Sequence, residues 1–425
     1  MCTLFHETTD VDESKEIIQI LYPRLLSLRP LIASVAGEDD AEKYKSTTRL
    51  FTEAGEAWVV LAARLPTEFR SLVEAILECC ARDADREAIA ITFRFWGDLK
   101  QHITIHTYAA AKSSYQDIFG QLVDVMIKHL EFPTLDDPNA IDLFDGDREQ
   151  EENFRSFRHR MGDVLKDCCE VIDASTCLHK AYDLIKLWVA TYASQVDGTT
   201  VPHWQKLEAP LFAVRGMGRM VSAEESSVLP ELISLMVMIP EHEKLRFQAV
   251  MALGRYTEWT ANHPNYLQPQ LQYLISSFQH PSSEVKEAAA LAFSFFGQDC
   301  SKLLVDEVHS FHTFYDGVLD ALIPTSQEEL SKGVAYIIGA QSKEKICASM
   351  KLYCDPIVER LKLRANKAQL EPDNKLLKER IAGRFYQARS RLWNPANTAR
   401  NNHSPHNIHP EYNAILLTNR DQPSS

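Results

Sequence analysis

Apolar residues recur along most of this chain at intervals of three and four, the spacing of helices that bury one stripe. The clearest instance occurs twice. Leu245-Arg246-Phe247-Gln248-Ala249-Val250-Met251-Ala252-Leu253-Gly254-Arg255-Tyr256 is followed forty residues later by Val285-Lys286-Glu287-Ala288-Ala289-Ala290-Leu291-Ala292-Phe293-Ser294-Phe295-Phe296. Aliphatic matches aliphatic at 245/285, base matches base at 246/286, Ala matches Ala at 249/289 and 252/292, and aromatic matches aromatic at 256/296. An echo upstream, Arg86-Glu87-Ala88-Ile89-Ala90-Ile91-Thr92-Phe93-Arg94-Phe95-Trp96, shares Glu, Ala, Ala, Phe and Phe with 286–296 at the same offsets. Ala lets neighbouring helices approach closely while larger side chains fill the grooves beside it. A period near 40 residues is that of paired-helix HEAT or armadillo repeats, whose units stack because none buries its apolar face alone. The expected fold is all-α: a HEAT-like helical-repeat solenoid, an α–α superhelix, with a disordered C-terminal tail.

Around this centre the pattern predicts helices over 11–35 (interrupted near Pro23 or Pro30), 41–65, 68–81, 86–103 and about 112–130. Pro133, Pro138 and Gly146 then break regularity, and eight of the 17 residues from 136 to 152 are acidic, which reads as an exposed acidic loop. Helical spacing returns over 154–172 and 175–192. Regular pairs follow: 204–221 with 227–239, 245–260 with 266–279, 283–296 with 301–315, and 327–340 with 343–368. From about 369 the text turns basic and then rich in Asn, His, Pro and Ser, a composition that favours disorder. The expected organisation is helical repeats over 1–132, the acidic loop over 133–152, HEAT-like repeats over 153–368, and an atypical basic, largely disordered tail over 369–425.

Composition agrees and narrows the function. At 425 residues the chain exceeds one ordinary compact core, a limit a stacked array escapes, and its 15 glycines are few for a β-rich fold. The formal charge is −14 but uneven: residues 1–361 carry −20 and residues 362–425 carry +6. An acidic body disfavours direct nucleic-acid contact, because phosphate binding draws on Lys and Arg. It suits a basic protein partner, whose approach its field accelerates. The nine cysteines include the pairs Cys79-Cys80 and Cys168-Cys169 but no CxxC, the usage of buried thiols in a reducing compartment. No apolar run is long enough for a membrane span, and the start does not read as a signal peptide. A soluble intracellular protein without membrane contact is expected.

No chemistry-bearing constellation stands out. His102/His106 and His309/His312 have metal-like spacing but lack the acidic companion of a zinc motif, and read as surface or capping residues. Arg215-Gly216-Met217-Gly218-Arg219 contains GxG without a preceding strand or third Gly, and reads as tight helix packing or a kink. There is no GxSxG and no GxxxxGK[ST]. Trp58, Phe93, Phe95, Trp96 and Trp204 read as core. No catalytic residue, no metal site and no cofactor are expected, and the chain reads as a non-enzyme.

One string carries a family resemblance. Phe157-Arg158-His159-Arg160-Met161-Gly162-Asp163-Val164-Leu165-Lys166-Asp167 resembles the FRxRxxDxxKD stretch of the transportin-SR branch of importin-β-type nuclear import receptors. Supporting strings occur in the same order: Phe51-Thr52-Glu53-Ala54-Gly55-Glu56, Phe93-Arg94-Phe95-Trp96, Trp204 with Glu208-Ala209-Pro210-Leu211-Phe212, Asn265-Tyr266-Leu267-Gln268-Pro269, and Lys332-Gly333-Val334-Ala335. The resemblance covers roughly 1–368. It implies a HEAT superhelix, cargo that is Arg/Ser-rich or otherwise RNA-binding, and partners in Ran-GTP and nucleoporins. It places residue 1 well inside the family's chain, beyond the repeats that hold most of the Ran contact. The family's arginine-rich helix should lie after 368, where Arg384, Arg389 and Arg391 do not match it. The expectation is a central segment of a receptor.

Together these readings imply a nuclear import receptor of the karyopherin-β type, or a fragment of one, that acts by binding alone and shuttles between nucleus and cytoplasm. The alternative is a HEAT-repeat structural scaffold of a cytosolic protein complex. The second helix of each pair is expected to line the concave side, where Asp183, Glu231, Asp306 and Glu307 would face a basic partner. Glu78 and the loop carboxylates Asp136, Asp137, Asp142, Asp145, Asp147 and Glu149 come next.

Overall fold

A computed structural model describes residues 2–370, apart from 39, 85, 87, 135–142, 145 and 199. The chain divides into two units, Met1–Ile346 and Cys347–Ser425. The tail expected beyond 369 falls, after Leu370, outside the described residues. Among the described residues all regular structure is helical, and an isolated bridge between Asp197 and Thr200 is the one β-type pairing.

The N-terminal helices are α1 (Cys2–His6), α2 (Lys15–Leu26) and α3 (Pro30–Ala36). The break between the latter two falls at Pro30, which occupies the first helical turn, where no backbone N–H is needed; Pro23 is carried inside α2. Then come α4 (Ala41–Ala57), α5 (Val59–Arg64), α6 (Pro66–Arg82), α7 (Ile89–Thr104), α8 (Ala109–His129), α9 (Arg148–Ile172) and α10 (Ala174–Tyr192). The regular pairs follow as α11 (Trp204–Met217), α12 (Leu229–Met236), α13 (Glu243–Leu253), α14 (Thr257–Asn262) and α15 (Leu267–Ser277). The last are α16 (Ser283–Asp299), α17 (Ser301–Leu304), α18 (Val308–Leu319), α19 (Pro324–Gly339) and α20 (Lys343–Leu370).

First members of successive pairs pack in series: α4 on α7, then α9, α11, α13, α16 and α19. A second layer runs alongside through α6, α8 and α10. The matched repeat positions are the seam of the first layer. Leu245, Ala249, Ala252, Tyr256, Val285, Ala289, Ala292 and Phe296 are all buried. Each large side chain buried there contributes roughly 1.5–3 kcal/mol by transfer from water. The small residues set the spacing. A Cβ on Gly254 would stand 2.9 Å from that of Ala292, and one on Gly297 would meet the Gly333 Cα at 2.6 Å, so α16 and α19 touch backbone to backbone.

Several boundaries differ from the sequence pattern, each for a local reason. The helix expected over 41–65 breaks at Trp58, a fully buried indole that donates to Thr8 Oγ1 at 2.8 Å and packs edge-on against Phe5 and Phe69. The helix expected from 86 starts at Ile89, because the buried Asp83 carboxylate accepts the Ala88 and Ile89 N–H groups and Arg86 takes the left-handed conformation, φ 61°. The stretch 245–260 splits around Arg255 and Tyr256, where the buried Tyr256 hydroxyl reaches back to the Val214 carbonyl at 2.7 Å. The region 301–315 is α17, a 3₁₀ turn at Val305–Glu307, and α18. The helix expected from 154 begins at Arg148: Asp147 caps it, accepting from the Glu149 and Gln150 N–H groups, and Glu149 and Glu151 complement the positive end of the helix. The last five residues of the expected acidic loop are therefore helical.

Candidate protein-binding surface

Asp183 is exposed on α10. Its neighbour Tyr182 donates its hydroxyl to the Glu231 carboxylate on α12. At the start of the same two helices Ser175 bonds to Glu225 and to Ser227. These contacts tie α10 to α12 and to the segment ahead of it, and put Glu231 against the residue next to Asp183. Glu225 is spent locally: its carboxylate collects the N–H groups of Ser227, Val228 and Leu229 and caps α12. Partial burial would raise its pKa, but the Ser227 hydroxyl, followed by those N–H donors, holds it below the ordinary range.

Asp306 and Glu307 lie in the 3₁₀ turn ahead of α18, Asp306 exposed and Glu307 half-buried. Glu307 stands on the rim of a groove between α15 and α18. Of the loop carboxylates, Asp147 is the helix cap and Glu149 lies exposed in the first turn of α9. Asp136, Asp137, Asp142 and Asp145 lie outside the described residues. Of the sequence-named acids, Asp306 and Glu307 are neighbours in one turn, and Glu231 is bonded to Tyr182, the residue beside Asp183.

Much of the remaining charge in the second layer is paired internally, a feature the sequence pattern did not reveal. Arg29 holds Glu78 at 2.6 Å and Glu74 at 3.3 Å. Glu78 is therefore an internal partner, not an unpaired carboxylate on display. Arg70 spans from α6 to Asp117 on α8 and also donates to the Ser114 carbonyl at 2.6 Å, and it lowers the Asp117 pKa. Lys180 on α10 reaches Asp124 on α8 at 2.8 Å. The offsets, 44 to 56 residues, were the available signal: each bond joins one repeat to the next.

The most distinctive string, 157–167, ties repeats together. Phe157 stacks on Phe93 of α7 with ring centroids 5.8 Å apart. Arg160 lies over that same ring and donates to the Ala90 carbonyl at 3.2 Å. Asp167 holds Lys100 of α7 at 2.9 Å. On the opposite side Arg158 faces α11: its Nη2 donates to both oxygens of Glu208, at 2.8 and 2.7 Å, with each residue buried. Its guanidinium also sits over the rings of Phe132, Phe154 and Phe212 at 4.5, 5.7 and 4.2 Å. Burial pushes the Glu208 carboxyl up, and Arg158 opposes that shift. In the GxG string beside them Gly218 lies tightly under the Arg255 side chain, while a Cβ on Gly216 would meet the Gly162 Cα at an ordinary contact distance, 3.8 Å. Of the aromatics expected in the core, Trp58, Phe93, Phe95 and Trp96 are buried. Trp204 is half-buried, stacked on His242 and next to Phe132. Among the described residues no group of His, Cys, Asp or Glu is arranged to hold a metal, and no helix is long and apolar enough to cross a membrane.

Residues 39–129 match the family model of the transportin-3/importin-13 second TPR domain, and residues 226–314 match that of the third. An uncharacterized Schizosaccharomyces pombe protein is 41% identical over 386 residues, covering 87% of this chain and 39% of that protein. The mRNA transport regulator MTR10 of Saccharomyces cerevisiae is 34% identical, covering 81% of this chain and 35% of MTR10. Human importin-13 is 22% identical, with coverages of 85% and 38%. The chain therefore spans less than two fifths of the length of these relatives. In fold it is similar to importin-13 in its cytosolic state (TM-score 0.67, 17% identity, 89% of this chain and 42% of that one). It is also similar to Kap121p bound to Pho4p (TM-score 0.60, 16% identity, 87% and 34%). Kap121p has also been solved bound to Nup53p.

Proposed function

The chain belongs to the importin-β family, matching part of the length of its larger members, and from that premise we propose that it acts as a nuclear import receptor of the karyopherin-β type, or as a segment of one. It works by binding alone: the acidic second layer receives a basic cargo protein, Arg/Ser-rich or otherwise RNA-binding. Ran-GTP regulates release, nucleoporins are transient partners, and the chain shuttles between cytoplasm and nucleus. The observation that carries this reading is a serial helical stack with carboxylates on the second members of its pairs, Asp183, Glu231 and Asp306 exposed and Glu307 half-buried. Such clusters raise the local concentration of cationic partners and speed encounter. Glu78, by contrast, is engaged by Arg29 and contributes to internal order.

The test is a pull-down of the purified chain on an immobilised Arg/Ser-rich bait, with and without Ran-GTP. Retention that Ran-GTP relieves supports the receptor reading in full. Retention indifferent to Ran-GTP confines it to cargo binding. Failure to retain the chain at low salt removes it and leaves a structural scaffold.

A further inference from the structure

The groove between α15 and α18 has a volume of about 170 Å³. Leu271 and Ile275 of α15 and Phe311 and Phe314 of α18 make its apolar wall. The wall is preformed: Phe314 is set against Phe278 and Phe293, at centroid distances of 5.0 and 6.0 Å, and Phe293 is itself buried. The rim is polar, with two glutamine side chains, Ser310 and Glu307, and no lysine or arginine lines the groove among the described residues. Asp306, exposed, adjoins Glu307 in the same turn.

An apolar recess beside two carboxylates selects for two properties at once. A purely cationic segment would leave the aromatic and aliphatic walls wet. A purely apolar one would bring hydrocarbon against carboxylates with no counter-charge. The glutamine amides supply both a donor and an acceptor to an extended backbone. We propose that this groove seats one apolar side chain of an extended basic segment of a partner protein, with Asp306 and Glu307 pairing the Lys or Arg beside it. The inference rests on the receptor reading above and names the chemistry of one of its contact points.

The test is fluorescence anisotropy on the full chain with three labelled twelve-residue probes. One alternates Lys and Ser around a central Phe; the second replaces that Phe with Ser; the third keeps the Phe and replaces every Lys with Gln. Burying the ring should make the first probe bind about tenfold tighter than the second, with the third too weak to measure. Ser310→Trp, and independently Gln272→Trp from the opposite wall, fill the groove from exposed positions and should erase that tenfold preference while leaving the second probe unaffected. Asp306→Asn with Glu307→Gln should weaken both Lys probes and preserve the preference. Equal affinity for the first two probes, or a preference that survives both Trp variants, overturns the groove and leaves the receptor reading standing. If neither Lys probe binds the unaltered chain, the groove reading falls, and the receptor reading is decided separately by the Arg/Ser-rich bait.

Discussion

The Arg158–Glu208 pair gives the sharpest test of how the repeats are joined. At 2.7 Å and an effective dielectric near 20, the Coulomb attraction is about 6 kcal/mol. Taking the two ions out of water costs several kcal/mol apiece. The pair as a whole is therefore close to neutral, but each half is expensive alone. Arg158→Met keeps most of the volume among Phe132, Phe154 and Phe212 and strands the Glu208 carboxylate. Because burial already pushes that carboxyl up, it can take a proton and limit the damage, so the loss should lie at the lower end of about 3–5 kcal/mol. Glu208→Gln strands a cation that cannot neutralise itself. Arg215 remains nearby, its own pKa lowered to about 10 by burial and by the charges of Arg255 and Arg158. That loss should lie at the upper end of the same range. Arg158→Met combined with Glu208→Leu should return to within about 1 kcal/mol of the parent. Urea unfolding gives the totals, and amide hydrogen exchange in α9 and α11 locates them, which matters because a stacked array need not unfold in one step. Single variants within about 0.5 kcal/mol of the parent, or a double variant as unstable as the sum of the singles, would refute the reasoning.

Other expectations concern contacts elsewhere in the stack. Gly297→Ala places a Cβ against the Gly333 backbone and should cost about 1–3 kcal/mol by overpacking, whereas Gly317→Ala, inside α18 with nothing within 4 Å, should gain about 0.5–1 kcal/mol; paired urea melts compare them. Asp147→Ala removes the cap of α9 and should cost about 1 kcal/mol, seen as faster exchange over Arg148–Glu152 with the rest of α9 unaffected. His129 is buried and its pKa is lowered, chiefly by desolvation. Below about pH 6.5 the unfolded chain therefore binds a proton that the folded one refuses, and this residue's contribution to stability falls as the pH drops. His129→Gln should flatten the slope of urea midpoints between about pH 7.5 and 5.5; an unchanged slope removes His129 from that dependence.

The stack was legible because its signal is periodic. Small and aromatic positions forty residues apart did become buried positions of the first layer, as 249/289 and 256/296 show. What escaped were features set by single long-range bonds. No periodicity foretells that Trp58 would break a helix to reach Thr8, or that Asp83 would delay α7 to Ile89. The acidic run at 147–152 read as loop because acidity was weighed as charge alone, whereas Asp147 caps and Glu149 and Glu151 sit where a helix favours negative charge. The string 157–167 was legible as a signature but not as a role: most of its polar side chains face α7 or α11 and fasten one repeat to the next. The acids at 183, 231, 306 and 307 did not stand out from the general charge; only their place on the second helix of each pair marked them. Which of them were spoken for, like Glu78 by Arg29, depended on partners some fifty residues away.

The claim on which the rest depends is that Asp183, Glu231, Asp306 and Glu307 receive a cationic partner. Its most direct test is the affinity of an Arg/Ser-rich peptide measured from about 50 to 300 mM salt. The unaltered chain is compared with a variant carrying Asp183→Asn, Glu231→Gln, Asp306→Asn and Glu307→Gln; the amide introduced by Glu231→Gln keeps an oxygen that can still accept the Tyr182 hydroxyl. The expected result is binding about tenfold weaker at low salt, with a shallower dependence on salt. Identical affinities and identical slopes in the two proteins would contradict it.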